Sequence, residues 1–235
     1  PLLPGRGPAE TRRTSGAAVN RADLACWTPP PPRIPGLPSH LVDVPTWTEA
    51  NPDRTAYWAW HAAVADHRKA VHAKLDPLGP QSEAWKLERD RIREFGPKYF
   101  ITMHLSVYEP RTDSDYGRGQ LPFIPHPFQV SVLDFMATPA RERISKAIDK
   151  PREIGVTTIC LGESLWHWIT EEVWDETWIS ATEDDVDKKD DKDSNLVKLD
   201  MLIATCPNQL LPKAARDLNP WAPRYPAWRK HLNLI

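Results

Sequence analysis

Residues 149–158 carry the residue types of a phosphate-binding loop, and they read Asp-Lys-Pro-Arg-Glu-Ile-Gly-Val-Thr-Thr. In such loops, backbone N–H groups at a helix start surround the phosphates, a lysine neutralises their charge and a hydroxyl holds Mg²⁺. Gly155 and Thr157 have the expected spacing, whereas Val156 stands where the lysine usually follows the glycine. The segment therefore predicts either a nucleoside triphosphate site or an ordinary strand-to-helix turn.

Two cations precede the glycine. Lys150 and Arg152 stand where a strand would end and the loop would begin. From that position a positive side chain can still be directed at phosphate oxygens. An arginine can also form two parallel hydrogen bonds to them, whereas a lysine acts as a point charge. The pattern thus indicates a phosphate loop whose cation has moved upstream.

The flanking segments would have to position this loop. Upstream, a proline-rich stretch leads into an apolar helix, with Phe128, Val132, Phe135 and Met136 spaced for one helical face. Gln129 near the start of that helix can offer its amide to an adenine edge. Downstream, residues 157–169 predict a largely buried helix and residues 177–182 a strand. The order strand, glycine turn, helix, strand is the βαβ unit that a phosphate loop requires.

In this order, three segments resemble the large terminase subunit, the ATP-driven DNA-packaging motor of tailed bacteriophages. The first resembles the adenine-reading glutamine motif of that family and comprises Pro127, Phe128 and Gln129. The second resembles a variant Walker A motif with an early lysine and comprises Lys150, Arg152, Gly155 and Thr157. The third resembles the segment after the next strand and comprises residues 180–188, then Leu196, Lys198 and Leu199, then Leu210, Leu211 and Pro212. The resemblance covers residues 97–235.

The resemblance implies ATP and Mg²⁺ as cofactors. It implies that ATP is contacted by Phe128, Gln129, Lys150, Arg152, Gly155, Val156, Thr157 and Thr158. Among these residues, Gln129 would read adenine, Lys150 and Arg152 would be the catalytic cations, and Thr157 would hold Mg²⁺. The implied partners are double-stranded DNA, the small terminase subunit, the portal protein and further copies of the chain, with no membrane. The implied location is the cytoplasm of the bacterial host.

The expected fold class is α/β, with an incomplete P-loop NTPase-like parallel-sheet core preceded by a helical N-terminal region. We expect a disordered proline-rich arm at 1–40, a helical region at 41–96 and a partial P-loop ATPase domain at 97–235. The helical region should hold one helix over Asp53–Leu75 and another over Ser82–Phe95, capped by Ser82 and stopped by Gly96-Pro97. Period-two apolar residues over 99–107 favour a strand, although a helical start stays open.

The segments that would complete the chemistry are missing from this sequence. No apolar strand ending in Asp-Glu follows the loop, where such motors hold Mg²⁺ and activate water. The acidic nuclease cluster of the family is also missing. We therefore expect a fragment that does not hydrolyse ATP by itself. The alternative function is a non-catalytic truncated remnant or a scaffolding module that assembles with other proteins.

The composition of the chain narrows the classes of protein to which it could belong. Charged residues make up 26% of the chain and the net charge is −2, so no overall basic field attracts nucleic acid. Three cysteines are scattered without metal-ligand spacing, which favours reduced thiols and a cytosolic setting. No apolar run approaches the length of a membrane span. The Asp/Lys-rich run from Glu183 to Asp200 predicts a flexible, solvated turn.

Overall fold

A computed structural model of the chain describes residues 29–108, 120–137, 155–172 and 194–211, and the single positions 148, 176 and 186. The elements in these ranges are α1 (Thr55–Leu75), α2 (Glu83–His104), β1 (Ser106–Tyr108), β2 (Gln120–Pro122), α3 (Pro127–Ala137), α4 (Val156–Thr170) and α5 (Asn195–Thr205). Strands β1 and β2 pair antiparallel, with Val107 opposite Leu121. The described part is therefore helical with a small antiparallel sheet. The strands predicted on either side of the glycine turn lie outside it.

Helix α1 confirms the helix predicted from its alanine-rich composition. Its buried residues include Tyr57, Trp60 and Val64, whose spacing places them on one side of the helix. The indole N–H of Trp60 donates a 2.9 Å hydrogen bond to the carbonyl oxygen of Leu41, which joins α1 to the chain before it. This face is therefore the one that packs against the rest of the protein.

Residues 29–40 were expected to belong to a disordered arm, and two of them, Ile34 and Leu37, are buried in the structure. The backbone N–H of Ile34 donates to the carbonyl of Val42 over 2.9 Å, and that of Val44 donates to the carbonyl of Pro32 over 3.0 Å. These bonds close a loop whose apolar side chains, Ile34, Leu37, Leu41 and Val44, are buried in the main core cluster. Prolines exclude helix and central sheet, but they do not prevent apolar neighbours from burying surface. Two residues of the expected arm, Ile34 and Leu37, thus belong to the core.

Helix α2 begins as predicted, because the Ser82 hydroxyl accepts a 3.3 Å hydrogen bond from the backbone N–H of Trp85. At the predicted stop, the chain reverses its direction and does not leave the helical conformation for long. Gly96 has φ 77° and ψ −167°, and helical structure resumes at Pro97. Glu88 and His104 are 16 positions apart, yet their side chains are hydrogen-bonded at 2.9 Å. A straight helix would separate their Cα atoms by about 24 Å. The two halves of α2 therefore fold back against each other.

The pattern over residues 99–107 favoured a strand and left a helical start open, and the structure has the helical start. Residues 99–104 are helical, and the strand begins only at Ser106. Every one of residues 99–106 is buried, on all sides of the second half of α2. A helix buried all round has no polar face, so a short apolar alternation within it cannot identify a strand.

Helix α4 confirms the buried helix predicted over 157–169, and it packs against α2, α3 and α5. A methyl group added at Gly162 would lie 3.0 Å from the Ile101 side chain, so α4 and α2 approach closely there. Helix α3 is also confirmed, but its predicted face is wrong. Val130 and Leu133 are buried, whereas Phe128 is exposed. Because apolar residues occupy most positions of α3, their spacing does not single out one face.

Helix α5 corrects the end of the solvated turn expected over 183–200. It begins at Asn195, and it buries Leu196, Leu202 and Ile203. Its last turn meets the sheet, where the Thr205 hydroxyl lies 3.3 Å from the backbone nitrogen of Ser106 and 3.2 Å from its carbonyl oxygen. None of the helices in the described ranges combines the length and apolarity that a membrane crossing requires.

Candidate functional site

Helix α4 starts at a glycine in the left-handed conformation. Gly155 has φ 75° and ψ 10°, and its carbonyl oxygen accepts a 3.1 Å hydrogen bond from the N–H of Ile159. Glycine adopts this conformation without the penalty that a Cβ brings. It also has no side chain to cap the first N–H groups of the helix, which lack partners within the helix itself. The start of α4 therefore offers backbone donors and the positive end of a helix dipole.

The side chain of Gln129 lies against this turn. Gln129 is the third residue of α3 and is buried. Its Oε1 accepts a 2.8 Å hydrogen bond from the backbone N–H of His126, as in a capping box. A methyl group added at Gly155 would lie 2.8 Å from Gln129 Nε2. The structure thus brings together the glutamine and the glycine that the sequence had placed in separate motifs.

An aromatic stack stands beside Gln129 at the start of α3. The Phe128 ring lies parallel to the His126 imidazole, with centroids 5.8 Å apart and planes 7° apart. The imidazole in turn stacks on Tyr57, with centroids 5.2 Å apart. Tyr57 is 1% exposed and Phe128 is 40% exposed, so the three rings lead from the core to the surface. The outermost ring is available to a planar ligand.

Burial keeps the stack uncharged near neutral pH. It lowers the pKa of His126, and the positive charge of Arg54 lowers it further. Burial also lowers the pKa of the neighbouring His61, with a second contribution from His126. The pKa of the Tyr57 hydroxyl is raised by burial. Neutral rings stack without like-charge repulsion, so the cluster presents an aromatic surface rather than a cationic one.

Six of the eight predicted site residues are described: Phe128, Gln129, Gly155, Val156, Thr157 and Thr158. They lie at the adjoining starts of α3 and α4. Val156 is buried, and Thr157 and Thr158 are half-buried. Lys150 and Arg152 lie outside the described residues. The assignment of all eight stays a prediction.

The sequence did not indicate that Tyr57 and His126 stack beside the candidate site. Neither residue is among the eight predicted site residues. A usable signal for His126 was its place between Pro125 and Pro127, directly before the glutamine motif. No comparable local signal exists for Tyr57, because its stacking on His126 joins residues that are distant along the chain.

Thr157 is the residue that the resemblance implies as the Mg²⁺ ligand. Across the described ranges, no three His, Cys, Asp or Glu side chains converge on a point where they could hold an ion. Mg²⁺ in phosphate sites keeps several waters and takes other ligands from the substrate phosphates. A single hydroxyl beside a helix start is compatible with that chemistry, because the phosphates complete the coordination. The assignment of Mg²⁺ to Thr157 stays a prediction.

A second, polar cleft of about 290 Å³ lies between α1, the sheet and the end of α5. It is lined by Arg68, His72, Asp76, Ser106, Gln120, Thr205, Pro207 and Gln209. Arg68 donates to the carbonyl oxygens of Thr102 and Leu105 and, over 3.0 Å, to the hydroxyl of Ser106. The guanidinium therefore stabilises the C-terminal end of α2. That role is structural and needs no ligand.

The chain matches no protein-family model, no curated protein and no solved structure. Its function must therefore be argued from the site residues and their geometry.

Proposed function

We propose that this chain is the ATP-binding part of a large terminase subunit and binds Mg²⁺–ATP where α3 and α4 begin. The observation that carries the proposal is the contact between the Gln129 amide and Gly155. The resemblance puts a base-reading residue and a phosphate turn in two distant segments, and one nucleotide can reach both only if they adjoin. A strand-to-helix turn without a ligand has no requirement for such a neighbour.

The phosphates would lie at the start of α4. The backbone N–H groups after Gly155 and the helix dipole favour negative charge there. Lys150 and Arg152 would neutralise the triphosphate from the upstream side of the loop, because Val156 offers no charge. The hydroxyl of Thr157 would bind Mg²⁺, which reduces repulsion among the phosphate oxygens and polarises them. The P-loop parallel sheet that would carry this loop is part of the proposal.

The base would lie beside the start of α3. Gln129 is buried, so a base hydrogen-bonded to its amide would be sheltered from competing water. Next to Gln129, Phe128 would offer an exposed ring face to the base. The Phe128 ring itself stacks on the His126 imidazole. In the complete protein, ATP hydrolysis would drive packaging of double-stranded DNA in the bacterial host cytoplasm. The small terminase subunit, the portal protein and further copies of the chain would be the partners.

A titration of the chain with Mg²⁺–ATP tests this function. We expect Lys150→Ala to abolish measurable binding, because the triphosphate then loses its main counter-charge. Arg152→Ala should weaken binding, and adding Val156→Lys to Lys150→Ala should restore part of it. Lys86→Ala is the charge-matched control, since Lys86 pairs with Glu83 on the surface of α2. Unchanged ATP affinity in a Lys150→Ala variant that is folded by circular dichroism would reject the proposal.

The alternative is a non-catalytic remnant or an interaction module. The observation that favours it is the exposure of two aromatic rings that each contact His126, Trp58 at 52% and Phe128 at 40%. Exposed aromatic rings are enriched at protein interfaces. Under this alternative the parent chain would fail to bind Mg²⁺–ATP in the same titration, so one experiment separates the two functions.

A further inference from the structure

The buried amide of Gln129 is fixed at one end and meets the glycine turn at the other. We infer that Gln129 is a positioning residue that acts on the phosphates through Gly155, beyond any contact with the base. This inference rests on the proposed nucleotide site. It differs from the role that the resemblance implies for Gln129, because a base-reading residue acts only on ligands that carry a base.

The first step is the orientation of the amide. Gln129 Oε1 accepts a 2.8 Å hydrogen bond from the backbone N–H of His126, at the start of the same helix. The side chain is buried, so water does not compete for that bond. Because Oε1 faces the N–H of His126, Nε2 must face away from it. The hydrogen bond therefore aims Nε2 at the neighbouring turn instead of leaving it to rotate.

The second step is the contact with that turn. The space above the Gly155 Cα is occupied, since a methyl group placed there would lie 2.8 Å from Gln129 Nε2. On its other side, Gly155 is held by the first hydrogen bond of α4, from the N–H of Ile159 to the carbonyl oxygen of Gly155. The turn is thus confined between the amide and the helix. Gln129 restricts the backbone conformations that Gly155, the most permissive residue, can adopt.

The third step links the turn to the ligand. The N–H groups that would meet the phosphates belong to the residues directly after Gly155, so the dihedral angles of Gly155 set the direction of those donors. Removing the Gln129 side chain would leave the turn freer, and the donors would have to be ordered when the ligand binds. That cost applies to every ligand that occupies the turn, whether or not it carries a base.

The test compares Mg²⁺–ATP with Mg²⁺–tripolyphosphate, which has the phosphates but no base. We expect Gln129→Ala to weaken both ligands by a similar factor of about tenfold, the size of one ordered hydrogen-bonding group. Gln129→Met keeps the volume above Gly155 and should lose less affinity than Gln129→Ala for both ligands. Binding is measured under conditions where each variant is fully folded, so a loss of stability alone does not change the result.

A double variant adds a second readout. Gly155→Ala places a methyl group against the amide, and this clash disappears when Gln129 is shortened. We therefore expect Gly155→Ala to cost less tripolyphosphate affinity in the Gln129→Ala background than in the parent chain. Such non-additivity arises only if the two residues act on each other. Additive effects would overturn the inference.

The remaining outcomes separate the inference from the function on which it rests. If Gln129→Ala weakens ATP but leaves tripolyphosphate unchanged, Gln129 only reads the base, and the inference fails while the proposed function stands. If neither ligand responds to Gln129→Ala, the inference also fails. If the parent chain binds neither ligand, the nucleotide site and the inference are both rejected.

Discussion

The reversal within α2 and the junction of α3 with α4 each contain a glycine with positive φ, Gly96 and Gly155, but the side chains around them differ. At the α2 reversal, the Glu88 carboxylate accepts hydrogen bonds from the Tyr99 hydroxyl over 2.7 Å and from His104 Nε2 over 2.9 Å. All three side chains are buried. At the junction, Gln129 is buried but the neighbouring Phe128 is exposed. The buried side chains at the α2 reversal contact one another, whereas the junction of α3 with α4 has an exposed aromatic ring beside its buried glutamine.

At the α2 reversal, a charged carboxylate, that of Glu88, is buried in the core. Burial raises the pKa of Glu88, but hydrogen bonds from His104 and Tyr99 and the nearby Arg91 outweigh it and hold that pKa below its usual value. Burial lowers the pKa of His104 to about 4, although Glu88 opposes this, while His72 and Arg68 add to the lowering. The network thus combines a carboxylate with a neutral imidazole. Such networks are costly to break because every member is desolvated.

The largest expected effect comes from removing the centre of that network. Glu88→Ala leaves the His104 ring and the Tyr99 hydroxyl without their acceptor, and each unmet buried donor costs about 1–3 kcal/mol, so we expect the free energy of unfolding to fall by about 2–5 kcal/mol. The measurement is urea denaturation. Glu83→Ala on the same helix is the control, because Glu83 pairs with Lys86 at the surface and should change little. Similar losses in both variants would show that the network does not hold the reversal together.

Acidification should weaken the same region. The pKa of His104 is lower in the folded chain than in the unfolded one, so the unfolded chain binds a proton first as the pH falls through 6.5 towards 4. From this residue alone, the free energy of unfolding should be about 2 kcal/mol lower at pH 5 than at pH 8. His104→Gln removes the titrating group and should flatten the dependence by that amount. Identical slopes of stability against pH in both proteins would exclude His104 as the cause.

Substitutions of Gly155 and Gly96 test whether the two regions differ in function. Gly155→Ala and Gly96→Ala should each lower the free energy of unfolding by about 1–2 kcal/mol, because both positions have positive φ. Only Gly155→Ala should also weaken Mg²⁺–ATP, since a methyl group at Gly96 meets nothing within 4 Å. Gly79→Ala is the control for both properties, because its methyl group also meets nothing within 4 Å and its φ is not positive. Equal losses of ATP affinity in the Gly96 and Gly155 variants would remove the functional difference between the two regions.

The smallest expected effect on stability is at the exposed end of the aromatic stack. Phe128→Ala should change the free energy of unfolding by less than about 1 kcal/mol, because the side chain is 40% exposed. It should nevertheless weaken Mg²⁺–ATP by about 1 kcal/mol through the lost stacking face. Leu87→Ala is the matched control, since Leu87 is 63% exposed on α2. A large loss of stability without a loss of ATP affinity would make Phe128 a packing residue.

The sequence by itself determined the elements whose signals are local. The serine cap and the Gly96-Pro97 pair located the first half of α2, alanine-rich composition located α1, and a largely apolar stretch located α4. Each signal acts over one or two helical turns, so no distant residue is needed to interpret it. The two halves of the candidate site were predicted in the same way, as a glutamine motif and a glycine turn.

Only the tertiary structure determined which other parts of the chain those elements contact. The packing of residues 29–44, the folding of α2 onto itself, the buried face of α3 and the contact of Gln129 with Gly155 all join distant parts of the chain. Burial also overrode the local pattern in the second half of α2, where the apolar alternation had favoured a strand. A residue's own neighbours set its backbone preference, but the surface it buries depends on which other elements complete the core. That dependence is the physical reason why sequence periodicity found the helices and did not find their partners.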